Sequence, residues 1–360
     1  MPSLETLGWS PFFEQQIDLS ADARLTPARV VEEQRGSFRI LGEEGLLYAE
    51  VVGRLRHEAS EHAAALPCVG DWVMARVPRG EAGDGVALIH RVLARRTKFS
   101  RKEAGEKTAE QVVAANIDTV FLVQSLNRDL NLRRLERYLT LLWESGADPV
   151  VVLSKADLCA DPVPLVEAVE RAAIGVAVHV TSALAPDGLD ALAPYLEAGR
   201  TVALVGSSGV GKSTIVNRLV GEDLMEVRDI RVDGRGRHTT TSRHLVMLPG
   251  GGMLLDTPGM RTVLMWGGEE GVAQAFEDIA ELAAGCRFRD CTHESEPGCA
   301  IRRALDDGSL DRARFQSYLK LRREVRHQAM KSDHRLRLAE QRKWRKIHLE
   351  ARRRPDKRRI

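Results

Sequence analysis

Gly206-Ser207-Ser208-Gly209-Val210-Gly211-Lys212-Ser213 matches the phosphate-binding loop pattern at every fixed position. Residues 201–205, just before it, read as a short buried strand, and residues 214–220, beginning with Thr214, read as the helix that follows. That context is what the chemistry requires. Glycines let consecutive backbone N–H groups converge on phosphate oxygens, and the helix N-terminus adds partial positive charge. Lys212 is then the counter-charge to the outer phosphates and Ser213 a ligand for Mg²⁺. The chain is expected to bind a nucleoside triphosphate in an α/β domain.

A phosphate loop names neither base nor reaction, so the companion segments decide. Asp256-Thr257-Pro258-Gly259 follows the apolar run Met253-Leu254-Leu255, which places Asp256 at a strand end. There it would support Mg²⁺ through water while the Gly259 N–H faces the terminal phosphate. Asp-x-x-Gly alone is weak; its weight comes from following the phosphate loop with Thr239-Thr240-Thr241 in between, where a hydroxyl could close over Mg²⁺. Taken alone, that threonine triplet fits a solvated loop equally well.

Further back, the apolar residues 150–153 run into Ser154-Lys155-Ala156-Asp157. An aspartate at such a strand end accepts two hydrogen bonds from guanine N1–H and the exocyclic amine, a donor pair that adenine lacks. About 25 residues on, 176–180 read as another strand ending in Thr181-Ser182-Ala183, a short loop able to meet the guanine oxygen through its backbone. Ser-Lys-Ala-Asp alone is also an ordinary polar turn. These base-reading loops precede the phosphate elements, the reverse of the usual order. Such a circular permutation is tolerated when a compact domain is reopened at an exposed loop.

Beyond these motifs stand Cys286, Cys291, His293 and Cys299, spaced Cys-x4-Cys-x-His-x5-Cys. Three thiolates and an imidazole so close in sequence suit a closed, tetrahedral structural Zn²⁺ site with no open position for chemistry. A disulfide scaffold is the competing reading. Five cysteines in 360 residues, with Cys68 and Cys159 isolated and no export signal, point instead to a reducing compartment.

The permuted order, Arg237-His238 ahead of the threonines, and the zinc spacing together resemble the ribosome small subunit dependent GTPase A family, bacterial GTPases of late small-subunit assembly. The likeness extends to Gly8-Trp9, Gly70-Asp71-Trp72 and the helix start at 131–138. It implies GTP hydrolysis stimulated by the small ribosomal subunit, binding of GTP, GDP and rRNA, one Zn²⁺ per chain, a monomer, and an N-terminal OB-fold. It also makes Thr240 the switch threonine and second Mg²⁺ ligand. Met260 stands where many GTPases carry a water-orienting Gln; a thioether cannot do this, and His238 is the candidate in its place. Ser154 stands where the family carries Asn, which is expected to weaken base contacts while leaving the selection made by Asp157. The rivals are a P-loop ATPase or kinase, and an RNA-binding scaffold holding nucleotide as a structural ligand.

Composition fits a cytoplasmic, multidomain protein, 43% apolar and 29% charged, with no apolar stretch long enough to span a membrane and no signal peptide. The formal charge of +2 conceals a split: residues 320–360 hold 17 Lys and Arg against 5 Asp and Glu, so the tail carries +12 and the rest −10. That asymmetry points to a polyanion at the tail, with 352–354 and 357–359 as the best phosphate contacts; a solvated basic helix is the plainer reading. The expected organisation is an N-terminal segment (1–25), an OB-fold barrel (26–99), a linker (100–111), a permuted GTPase domain (112–266), a mostly helical zinc module (267–325) and a basic helical or disordered tail (326–360). Alternating segments at 37–40, 46–52, 71–77 and 85–90 carry the barrel reading, and its exposed face, with Arg35, Arg39, Arg54 and Arg56, is a candidate RNA surface, though scattered solvated arginines would look the same. The leucines at 132, 135, 139 and 142 recur at helical spacing and mark a core stripe.

Overall fold

Short runs of Val, Ile and Leu broken by Gly, Pro or charged turns favour strands, since branched side chains pack well on a pleated surface. A computed structural model describes residues 2–18, 24–34, 36–61, 63–78, 85–102, 110–127, 130–221, 243–256 and 268–332. The first strands are β1 (Thr26–Gln34), β2 (Ser37–Gly42), β3 (Gly45–Val51), β4 (Trp72–Arg76) and β5 (Ala87–Val92). Because β1 pairs with both β2 and β4, the ring β1-β2-β3-β5-β4 closes into the expected five-stranded barrel. Val30, Phe38, Ile40, Ala49, Val73 and Ile89 fill it. A helix, Gly53–Glu61, separates β3 from β5, which run parallel as that crossover requires.

The expected linker is bounded by strands. β6 (Lys98–Lys102) and β7 (Glu110–Ala115) pair antiparallel, with Phe99, Val112 and Val113 buried. Charged neighbours hide this hairpin from a reading of polarity alone.

Next come β8 (Thr119–Ser125), β9 (Asp148–Ser154), β10 (Ala177–Val180), β11 (Thr201–Val205), β12 (Arg243–Met247) and β13 (Met253–Asp256). They lie in the order β10-β9-β8-β11-β13-β12, parallel throughout except for β12. Strands buried on both faces carry near-continuous apolar runs, and β8 and β11 do. β12 also pairs with β1, so one eleven-stranded sheet passes from this layer into the barrel.

Arg29 of β1 fastens this junction. It is 1% exposed and donates to the carbonyls of Leu7 (2.5 Å), Gly70 (3.3 Å) and Asn116 (2.9 Å), touching the N-terminal segment, the barrel and the approach to β8. Burial lowers its pKa to about 10, so it stays charged at neutral pH. Removing a buried, hydrogen-bonded charge leaves its acceptors stranded. Arg29→Met is therefore expected to cost about 3 kcal/mol or more in urea unfolding monitored by tryptophan fluorescence.

The chain forms two compact units that divide between Glu277 and Asp278. Helix Glu269–Ala275 was expected in the zinc module, yet it packs on helix Leu132–Ser145 of the first unit. The Gly271 N–H donates to Glu144 at 3.0 Å, and a Cβ at Gly271 would meet the Thr140 carbonyl at 2.1 Å, so only glycine fits. In the second unit, helices Ala300–Asp306 and Arg312–Ser332 bury Ile301, Leu310, Phe315, Leu321 and Val325, and Arg314 grips Asp278 through two bonds of 2.7 and 2.8 Å. No described helix is long and apolar enough to cross a membrane.

Candidate nucleotide and metal sites

Parallel strands bring their C-terminal ends to one edge whatever their order in the chain, and α/β sheets bind ligands there, where the connections diverge. Here β9 and β10 lie to one side of β8, and β11 and β13 to the other. The permuted loops therefore converge: 154–157 after β9, 181–183 after β10, 206–213 after β11 and Asp256 at the end of β13.

The phosphate loop enters helix Lys212–Val220 through Gly206, Gly209 and Gly211 at φ 143°, 80° and 96°, angles that L side chains rarely adopt. At Gly206 the restriction is also steric, since a Cβ would lie 2.3 Å from the Val123 carbonyl of β8. Val210 is buried and pins the loop to the core; Ser208, Ser213 and Thr214 are exposed at its mouth, and Ser207 is half-buried. The Lys212 ammonium lies over the loop, donating to the carbonyls of Gly206 (2.8 Å) and Ser207.

The base-reading segments are tied to each other and to this loop. The Ser182 hydroxyl donates to Asp157 at 2.6 Å, orienting the carboxylate across 25 residues of sequence. Lys155, in the left-handed region at φ 60°, reaches the Gly209 carbonyl at 2.6 Å. Ser154, 3% exposed, places its hydroxyl 2.5 Å from the Val210 carbonyl and 3.2 Å from that of Gln124. Its hydroxyl therefore ties the strand end that carries Asp157 to the phosphate loop. Only the structure reveals these ties, because the partners stand 54 and 56 residues apart in sequence. Ala183 is half-buried, while Leu158 and Leu184, which the sequence reading passed over, are 69% and 77% exposed beside Asp157 and Ala183. His238, Thr240, Gly259 and Met260 lie outside the described residues, as do 333–360 of the tail; of Asp256 only the backbone is described.

In the second unit, the donor atoms of Cys286, Cys291, His293 and Cys299 all lie within 4.8 Å of one another. Cys286 Sγ and Cys299 Sγ are 3.6 and 3.5 Å from His293 Nδ1, and 3.9 Å apart. Tetrahedral ligands at ordinary Zn–S and Zn–N lengths would be separated by about 3.8 Å for S···S and about 3.5 Å for S···N. The donor set therefore fits a four-coordinate ion. All three cysteines are free, so the disulfide alternative is not what this geometry holds. Burial, with Arg322 adding to it, lowers the His293 pKa and keeps the imidazole neutral, the form that ligates metal.

Comparison with known proteins places these sites among relatives. A family model described as RsgA GTPase matches residues 92–266. The "Small ribosomal subunit biogenesis GTPase RsgA" of Opitutus terrae is 49% identical over 353 residues, covering 96% of each chain. Its namesake in Streptomyces coelicolor is 45% identical over 339 residues, 93% of this chain and 90% of that one. Among solved structures, YjeQ from Thermotoga maritima superposes with a TM-score of 0.61 at 25% identity, over 84% of this chain and 98% of its own. YloQ, described as a circularly permuted GTPase, gives 0.61 at 23% identity over 84% and 96%, and supports the fold.

Proposed function

The chain belongs to the RsgA GTPase family, and from that premise we propose how its residues carry out GTP hydrolysis in small-subunit biogenesis. The family implies Mg²⁺ with GTP; Lys212 would meet the outer phosphates, and Ser213, Thr240 and Asp256 would hold the ion, which would neutralise charge on the transferred phosphoryl group. The Gly259 N–H would serve the terminal phosphate, and His238 would take the water-orienting role that Met260 cannot fill. The metal cluster holds Zn²⁺ and does no chemistry. The protein acts as a cytoplasmic monomer whose turnover rises on the small subunit, with rRNA met by the barrel and the basic tail.

One observation carries the guanine assignment: Asp157 is held by Ser182 while its neighbours Ser154 and Lys155 grip the phosphate loop. Base and phosphate recognition therefore share one rigid frame. Asp157→Asn replaces an acceptor with a donor and removes charge-assisted bonds, each worth about 1.5–3 kcal/mol. GTP affinity is expected to fall by at least about tenfold and xanthosine triphosphate to gain relative to GTP. Competition with GTP, ATP and xanthosine triphosphate, with and without small subunits, is the test. Preferential use of ATP would overturn the reading.

A further inference from the structure

Five neighbouring strands, β3, β2, β1, β12 and β13, carry Tyr48, Arg39, Glu32, His244 and Asp256 as direct register partners, one row across the sheet. Side chains of directly opposed residues share a face and reach one another. The first four do so. The Arg39 guanidinium lies 5.3 Å from the Tyr48 ring centre, and its Nη1 is 3.4 Å from Glu32 Oε2. The same oxygen lies 3.6 Å from His244 Nδ1. Val246, on the same face as His244, packs in the core cluster with Ile215 of the helix that follows the phosphate loop. The row thus runs from the outside of the barrel to the side of the sheet that carries that helix.

A bulge sets up the row. The pairing of β1 with β2 shifts between Val30 and Glu32, so Val30 meets Ile40 in the barrel core while Glu32, two residues on, meets Arg39. Bulges re-aim side chains at the cost of ladder bonds. Stability gives little reason for this one, because partly exposed ion pairs contribute little. The outer end is also unfinished. Tyr48 is 65% exposed, and the buried Arg39 Nε has no hydrogen-bond partner.

We propose that this row couples RNA contact on the barrel to the nucleotide site, with Arg39 as the part that changes partner; the inference rests on the rRNA-contact reading above. An exposed aromatic ring under a guanidinium suits an unpaired base and its phosphate. When the phosphate draws Arg39, Glu32 is left to His244 alone. His244 stands opposite Asp256 at the end of β13, which pairs with β11, so its position bears on a strand end beside the phosphate loop. An exchange of partners gives two discrete arrangements, which is what transmission through a network requires. Glu32 and His244 are positioning residues.

The test uses the full chain, purified small subunits and Glu32→Gln, which keeps the shape but loses the charge shared by Arg39 and His244. Turnover without subunits and the half-saturating subunit concentration should stay within about twofold, while maximal stimulated turnover falls about tenfold, a typical coupling factor. Tyr48→Ala should instead raise the half-saturating concentration. Should Glu32→Gln lower the melting temperature, Glu32→Asp, charged but too short to reach both Arg39 and His244, must show the same loss of stimulation. Full stimulation of the Glu32 variants beside a stimulated wild type would overturn the coupling and leave the function intact. A wild type that subunits do not stimulate would remove the functional reading and the coupling with it.

Discussion

Lys212→Ala is expected to lower GTP turnover by about 10²-fold or more, whether or not small subunits are present. Three features of the loop make the position unforgiving. Left-handed glycines at 206, 209 and 211 curl the loop, the helix behind it directs N–H groups outward, and Ser154 and Lys155 brace the loop from below. That frame sets the phosphates in place, but backbone dipoles carry only partial charge. Among the described residues two ammonium groups bond the loop, Lys155 at the Gly209 carbonyl and Lys212, which begins the helix and bonds the Gly206 and Ser207 carbonyls. Charge accumulates on the phosphoryl oxygens in the transition state, so losing the Lys212 cation raises the activation barrier by about 2.7 kcal/mol for each hundredfold loss of rate. Lys212→Arg should not rescue, because a planar fork cannot reproduce a compact point charge in a loop this tight. Steady-state turnover together with GDP affinity and thermal unfolding checks the claim. Turnover within tenfold of wild type, with the fold intact, would dismiss the site.

The nucleotide site was legible because its chemistry is local. The residues of the phosphate loop must follow one another, and Thr201–Val205 reads as a buried strand without help from the rest of the chain. The zinc ligands likewise fall within fourteen residues. What escaped was set by tertiary contact. β1 carries the buried Arg29 and a bulge beside Glu32, so its alternation is broken and its barrel role is hidden. Glu136 sits among arginines on what reads as the solvent face of a helix, yet it is fully buried with Arg133 at its carboxylate. The tie from the Ser154 hydroxyl to the Val210 carbonyl joins residues 56 apart, beyond the reach of any local pattern. The pairing of β1 with β12, which makes barrel and nucleotide layer one sheet, joins segments about two hundred residues apart that no local pattern connects.

Removal of the metal is expected to unfold the second unit while the first stays folded. The cysteine segment, from Cys286 to Cys299, contains no described helix or strand, so little besides its ligands holds its shape. Cys299 also caps helix Ala300–Asp306, its sulfur accepting from the Arg302 N–H at 3.5 Å, so loss of the cluster frees that helix end too. Structural zinc contributes about 10–16 kcal/mol at neutral pH, several times what a small helical unit gains from burying a few side chains. The first unit has its own cores, in the barrel and around the parallel strands, and none of their members comes from the cysteine segment. The two outcomes can be read separately. Trp9, Trp72 and Trp143 lie in the first unit, with Trp72 fully buried, and Trp344, which belongs to the second unit and lies outside the described residues, is replaced by Phe for the measurement. A strong chelator, or Cys291→Ser, should therefore reduce the far-ultraviolet helix signal while tryptophan emission and GDP binding persist. Elemental analysis of protein purified without added metal should find one zinc per chain. Protein that contains no zinc and keeps its full helix signal in chelator would show that the cluster folds without an ion.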